Sequence, residues 1–312
     1  MENPSAGRNL CRTWKSVAME KGTDSCGKYF RKRGIGMEKK YENKIVAEHL
    51  TKVYELKEKK GMFQKKTKQV IHAVQDITLE IPKGKIIGLL GINGAGKTTT
   101  IRMLSSVIEP TSGALYMNGM DAIRYHRKMK EKINVISGGE RNLYWRLTAS
   151  ENLRYFGSLY GIKKDSLEKR IQELLLLVGL EKKADIPVER YSKGMKQRLQ
   201  IARGLINDPE YLFLDEPTLG LDIVIAKEIR NMVRQLADEQ GKGILLTTHY
   251  ISEAEELCDY IYVIDRGKMI AGGTKEELKK IFEELRGQSQ EDLKLEDILM
   301  YLIQNSREAV VI

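Results

Sequence analysis

Cysteine is scarce in this 312-residue chain, where Cys11, Cys26 and Cys258 are the full set. Their spacing gives neither a disulfide framework nor a metal-ligand pattern, which fits a reducing cytoplasm. Histidine is nearly as rare. His49, His72, His126 and His249 are scattered with no pair four residues apart, which argues against a zinc site. No apolar run approaches the roughly 18 to 20 residues that a bilayer-spanning helix needs. The longer apolar blocks, such as Leu174–Val178, fall far short, so the chain is not expected to cross a membrane by itself. The first residues also lack the apolar core of a secretory signal, and no repeat of fixed period runs through the sequence.

Positive charge is abundant. The formal net charge is +10, and residues 1–44 alone carry 11 Lys/Arg against 5 Asp/Glu. Such a segment reads as a solvated, disordered basic tail. Attraction to an anionic lipid surface or to nucleic acid is the other reading. Met37 lies within it and would serve equally as a start. The chain as a whole is 41% hydrophobic and 31% charged, a globular composition with room for one large or two small domains.

Glycine is concentrated where it carries chemistry. From Gly91 to Thr100 the residues read G-I-N-G-A-G-K-T-T-T, matching G-x-x-x-x-G-K-[ST]. The apolar run Lys85–Leu90 before it reads as a buried strand. Ile101 and Leu104 after it lie on one face of a helix. Strand, loop and helix start are the context this motif requires. Backbone N–H groups of Asn93, Gly94, Ala95, Gly96 and Thr99 turn toward a phosphate, and the helix N-terminus adds its positive end. Lys97 then reaches the β- and γ-phosphates, and the Thr98 hydroxyl is a ligand for Mg²⁺.

Further strands are expected at Ile45–Tyr54, Gln75–Ile81, Tyr211–Leu214, Gly243–Thr247 and Tyr260–Ile264. Lys57–Lys68 reads as an exposed lysine-rich loop and Asn118-Gly119 as a hairpin corner. Between about Glu140 and Arg190 the pattern is helical. There Leu167, Ile171, Leu174, Leu175 and Val178 make one apolar face, and Gly179 is the stop. Two short amphipathic helices close the chain, with Leu278, Ile281, Phe282 and Leu285 on one and Leu295, Ile298, Leu299 and Leu302 on the other. Strands alternating with helices point to an α/β core with a mainly parallel sheet and a helical insert.

Asp215-Glu216 ends a buried strand, at the edge where open α/β sheets bind ligands. Asp215 is placed to hold Mg²⁺, and Glu216 to orient or deprotonate an attacking water. His249 follows Thr247-Thr248 at the end of another strand. It is either a surface loop histidine or a donor to the γ-phosphate. Tyr191-Ser192-Lys193-Gly194-Met195-Lys196-Gln197-Arg198 reads as a polar turn opening a helix capped by Ser192.

The order of these features resembles the ATP-binding cassette ATPases over about residues 45–275: phosphate loop, Ser-x-Gly before a helix, Leu214-Asp215-Glu216-Pro217-Thr218, Gly220-Leu221-Asp222, Thr248-His249. The resemblance implies an α/β P-loop NTPase core with an antiparallel β edge and a helical insert subdomain. It implies ATP and Mg²⁺ as ligands. It also implies head-to-tail pairing, so that Ser192 and Gly194 of one copy face the γ-phosphate held by Lys97 of another, in a homodimer or with a paired ATPase subunit. The expected divisions are a basic tail at 1–43, the ATPase domain at 44–275 with its insert at about 140–195, and a helical tail at 276–312.

Some positions depart from the family pattern. Lys193 and Met195 stand where Gly and Gln are usual, and Ile136–Trp145 lacks the usual glutamine, leaving Glu140 as the nearest acid. The adenine-stacking aromatic is expected at Tyr54, with Phe63 as its rival. The leading expectation is an ATPase subunit on the inner face of the cell membrane. It would drive an exporter through a separately encoded transmembrane permease, with Tyr144, Trp145 and Arg146 docking it or Trp145 filling the insert core. No nucleic-acid partner is expected. The alternative is a soluble family member acting on ribosomes or DNA.

Overall fold

The computed structural model describes residues 41–58, 67–138, 142–286 and 294–308. Strands β1 (Lys44–Glu58), β2 (Thr67–Pro82), β4 (Ser112–Met117) and β5 (Met120–Asp121) form an antiparallel four-stranded sheet in the order β2-β1-β4-β5. The larger sheet holds β3 (Ile86–Leu90), β6 (Ile133–Ser137), β7 (Tyr211–Asp215), β8 (Gly243–Thr248), β9 (Tyr260–Asp265) and β10 (Lys268–Gly273). Its order is β10-β9-β3-β8-β7-β6, parallel throughout except for β10, which turns back on β9.

The parallel strands are covered on both faces, and for that reason read as unbroken apolar runs. Side chains alternate along each strand and enter two different cores. Ile86, Leu212, Leu214, Ile244 and Leu246 join one core, with α3 (Ala149–Leu159), α4 (Lys164–Leu177), α5 (Lys193–Gly204) and α6 (Ile223–Asp238). Ile87, Leu89, Tyr211, Phe213 and Leu245 join the other, with the antiparallel sheet, α1 (Lys97–Leu104) and α2 (His126–Lys132). A third core seats α8 (Lys275–Arg286) and α9 (Leu295–Glu308) on β9, β10 and α7 (Ile251–Leu257) through Leu278, Phe282, Leu295, Ile298, Leu299 and Leu302.

Local signals place the ends of the elements. Thr148 and Glu151 make a reciprocal capping box at the start of α3. Leu167, Ile171, Leu174 and Leu175 are the buried face of α4. At its end Gly179 takes φ 67°, with Leu180 N–H bonded to Leu175 O and Gly179 N–H to Leu176 O. That is the Schellman pattern, which favours glycine at this position. Asn118 (φ 49°) and Gly119 (φ 80°) turn β4 into β5 in two residues, as their sequence suggests.

The structure differs from expectation in three places. The lysine-rich segment is partly strand, because the β1–β2 ladder continues through Lys57↔Lys68 and Glu58↔Thr67. Phe63 and the rest of the segment lie outside the described residues. Strands β6 and β10 were not anticipated. Ile133–Ser137 alternates too weakly to stand out beside a charged helix, and β10, with Lys268, Gly272 and Gly273 among its six residues, is held by its partner β9. Residues 142–148 are irregular, so the helical part of the insert starts only at Ala149.

Below the sheet, Glu210 ties three connections to the foot of β7. Its carboxylate meets Lys83 at 2.6 Å, Lys132 at 2.7 Å and Asn118 Nδ2 at 2.6 Å. Burial alone would raise the Glu210 pKa, but the bonds from Lys132, Lys83 and Asn118 bring it down to about 2. A depressed carboxyl pKa stabilises the fold above the unfolded value and loses that contribution as pH falls toward the folded one. Glu210→Gln is therefore expected to lower stability at pH 7 by on the order of 2 kcal/mol. The difference from the parent should shrink as pH falls from about 5 toward 2, as read by denaturant unfolding across that range.

Candidate functional site

The C-terminal ends of β3, β8 and β7 come out at one edge, with Leu90 beside Thr248 and Asp215 beside Thr247. The loop after β3 wraps the N-terminus of α1 there. Gly91 is required by close approach, since a Cβ would sit 2.2 Å from the Ile264 carbonyl oxygen. Gly96 is required twice over. It has φ 110°, and a Cβ there would lie 2.7 Å from Ala73 O. The result is a concave nest of backbone at a helix start, the geometry that holds phosphate.

Lys97 is 7% exposed and folds back on its own loop, donating to Gly91 O at 2.5 Å and Ile92 O at 3.2 Å. Burial lowers its pKa, opposed by the nearby charges of Glu216 and Asp215. Opposite stand the carboxylates. Asp215 Oδ1 accepts the Thr247 hydroxyl at 2.5 Å, and Oδ2 faces Thr98 Oγ1 at 3.5 Å. Glu216 has φ 54°, a left-handed conformation rare for a glutamate. Its N–H donates to Thr247 O at 2.9 Å, and its side chain meets His249, Nδ1 to Oε1 3.2 Å. Gly138 N–H donates to Asp215 O at 2.7 Å, and Gly138 lies so close that a Cβ would be 2.5 Å from Glu216 O.

A cavity of about 630 Å³ joins these groups. Of the residues expected to act, Asn93, Gly94, Gly96, Lys97, Thr98, Thr99, Asp215 and Glu216 form its wall. Ala95 is buried behind the loop, its carbonyl accepting Gly267 N–H at 2.8 Å. His249 reaches the wall through Glu216. Tyr54 is not in the wall but pairs with Ile71, which is. Cross-strand partners share a face, so Tyr54 extends the same side of the ribbon. Ser192 and Gly194 are also absent from the wall. Ser192 caps α5 by accepting Met195 N–H at 3.2 Å, and Gly194 packs under Ile225. Glu140 lies outside the described residues.

Sequence reasoning did not single out Ile71, His72, Ala73, Gln75, Ser137, Gly138, Leu219 or Arg266, which with Ile92 complete the wall. Gly138 had a signal, being the first glycine after an apolar run that ends beside Asp215. Gln75 and Arg266 had none, because their partnership (Gln75 Nε2 to Arg266 O, 3.0 Å) joins segments far apart in the chain.

The donor set suits a hard cation. Among the described residues no three His, Cys, Asp or Glu side chains cluster as a metal cage. Thr98 and Asp215 offer two oxygens, fitting a Mg²⁺ that takes its other ligands from phosphate and water. The fold and this edge define the class of P-loop nucleotide-binding proteins.

The family model described as "ABC transporter" matches residues 74–219. The ABC transporter ATP-binding protein NatA of Bacillus subtilis is 44% identical over 216 residues, 69% of this chain and 87% of that protein. The linearmycin resistance ATP-binding protein LnrL of the same organism is 42% identical over 66% of this chain and 65% of its own length. Nod factor export ATP-binding protein I of Ralstonia nicotianae is 43% identical over 66% of this chain and 63% of its own. The match thus spans just under two thirds of the latter two relatives. A solved ATP-binding subunit of an ABC transporter superposes with TM-score 0.66 at 29% identity, covering 83% of this chain and 98% of that one. A dimeric post-hydrolysis ATP-binding cassette with ADP and Pi superposes with TM-score 0.62 at 25% identity, covering 74% and 98%. The chain belongs to the ABC transporter ATP-binding family and is an ATPase of that family.

Gly138→Ala is expected to displace the Asp215-Glu216 backbone. ATP hydrolysis should fall by roughly tenfold or more, with nucleotide affinity within a few-fold of the parent, as read by turnover and equilibrium binding side by side.

Proposed function

We propose that this chain is the ATP-hydrolysing subunit of an ABC exporter and works through a separately encoded transmembrane permease at the inner face of the cell membrane. The observation that carries this reading is the gathering of Lys97, Thr98, Asp215 and Glu216 around one cavity while Ser192 and Gly194 stay outside it. A single copy thus presents half of a site, to be completed by the Ser192–Gly194 segment of a second copy or of a paired ATPase subunit. The relatives are named for transport, resistance and export, and export is the direction they support. Among the described residues no helix is long and apolar enough to cross a membrane, so a separate spanning partner suits the chain. None of the relatives named above carries ribosomes or DNA in its name, which leaves the soluble alternative without their support.

In this reading ATP lies in the nest with its base toward Tyr54 and Ile71. Lys97 leaves the Gly91 and Ile92 carbonyls for the β- and γ-phosphates. Thr98 and Asp215 hold Mg²⁺, which supplies charge neutralisation on the phosphate oxygens when bound. The Thr247 hydroxyl fixes Asp215, and the backbone of Glu216 is fixed by Thr247 O. Glu216 accepts a proton from the attacking water, whose oxygen bonds to the γ-phosphorus as the bond to the ADP oxygen breaks. His249 orients the Glu216 carboxylate from behind. Glu216→Gln keeps the shape and removes the base. Steady-state hydrolysis should be abolished, with ATP binding and dimerisation kept; retained turnover would remove Glu216 from this role.

Tyr144 and Trp145 are 48% and 47% exposed, and they form the proposed docking surface for the permease. Lys196 Nζ, on the helix that Ser192 caps, sits 4.7 Å from the Trp145 ring centroid. Docking there therefore touches the segment that completes the second site. Trp145→Ala is expected to weaken co-purification with the permease encoded beside this chain by roughly tenfold, while basal ATPase activity of the isolated subunit stays within about twofold.

A further inference from the structure

Glu253, on α7, is 2% exposed, and the chemistry described above does not use it. Its Oε1 accepts the Thr218 hydroxyl at 2.8 Å in a buried hydrogen bond. The first turn of its helix is tied back to the end of β8, where Tyr250 N–H donates to the Thr248 hydroxyl at 3.0 Å and Glu253 N–H donates to Tyr250 O at 3.1 Å. The other carboxyl oxygen of Glu253, Oε2, is buried and has no hydrogen-bond partner among the described residues. A buried carboxylate with one bare oxygen is costly, and Arg230, whose charge acts on it, is engaged at 2.7 Å by Glu256. The group accordingly keeps its proton more readily than an exposed glutamate, because burial raises its pKa.

Thr218 and the helix of Glu253 flank the segments that carry the reaction. Thr218 lies two residues after Glu216 and opens the loop to Asp222, the cap of α6. Thr248 immediately precedes His249. Glu216 and His249 meet through a side-chain contact of 3.2 Å. The buried bond from Thr218 to Glu253 joins the loop after Glu216 to the helix after His249 and so holds the two segments together.

We propose that Glu253 is a positioning residue: a buried strut that locks the Thr218 loop to the helix following His249 and so keeps Glu216 and His249 in register for hydrolysis. The proposal rests on the catalytic reading of Glu216 and His249. It predicts that the acceptor oxygen matters and the negative charge does not. Glutamine keeps that oxygen; alanine removes it. Thr218→Val removes the donor without touching Glu253.

The test is steady-state ATP hydrolysis by the full chain carrying Glu253→Gln, Glu253→Ala, Thr218→Val or Glu216→Gln. Glu253→Gln should keep kcat within about threefold of the parent. Glu253→Ala and Thr218→Val should each lower kcat by about tenfold with the KM for ATP within about threefold, and combining them should cost little beyond either alone. The proposal is overturned if Glu253→Gln is as slow as Glu253→Ala, if Thr218→Val leaves kcat unchanged, or if the loss falls on KM. Should Glu253→Ala fail to fold, the glutamine and Thr218 variants decide the matter. Turnover in Glu216→Gln would defeat the catalytic reading itself, whereas a dead Glu216→Gln beside a fully active Thr218→Val defeats the strut alone.

Discussion

Across the parallel ladders Leu90 is level with Thr248, and Asp215 is level with Thr247. Three strands therefore exhaust their hydrogen bonding at the same height, and every polar group of the site is set down where they end. The apolar runs upstream enforce that level. A slip of one residue in β7 would send Leu212 and Leu214 into the core that Tyr211 and Phe213 now fill, and the reverse. Placement of Asp215 is thus a by-product of burying Phe213. The chemistry inherits the register that the cores select.

At that edge the polar groups satisfy one another before any ligand arrives. Lys97 occupies two loop carbonyls, Asp215 takes the Thr247 hydroxyl, and Glu216 leans on His249. A buried ammonium near two carboxylates without such bonds would be expensive. Nucleotide binding then exchanges one set of partners for another, so the site need not be unfolded or strained open to be receptive. Foot and edge of the sheet are separate in this respect. Glu210 and its lysines hold the lower end without touching the groups above.

The parts legible in the sequence were those whose cause is local. The phosphate loop, the Gly179 stop and the Asn118-Gly119 corner each follow from backbone conformations that few residues adopt. The buried strands follow from unbroken apolar runs. What escaped depends on neighbours. Strand β10 exists because β9 offers it a ladder, and Gln75 meets Arg266 only once the two sheets are joined. Tyr54 could be placed on its strand, but its distance from the cavity depends on how β1 and β2 twist together. Ser192 and Gly194 were recognisable by resemblance, yet the site they are proposed to serve belongs to another copy, which no property of a single chain displays.

Glu216 sits with φ 54°, where an ordinary side chain is disfavoured and glycine or asparagine would rest more easily. This sets activity against robustness at one position. Selection for heat resistance alone, blind to turnover, would drift toward glycine or asparagine at this position, since those residues relieve the backbone there. Thermostable descendants of such a chain are therefore best screened for turnover first and melting temperature second.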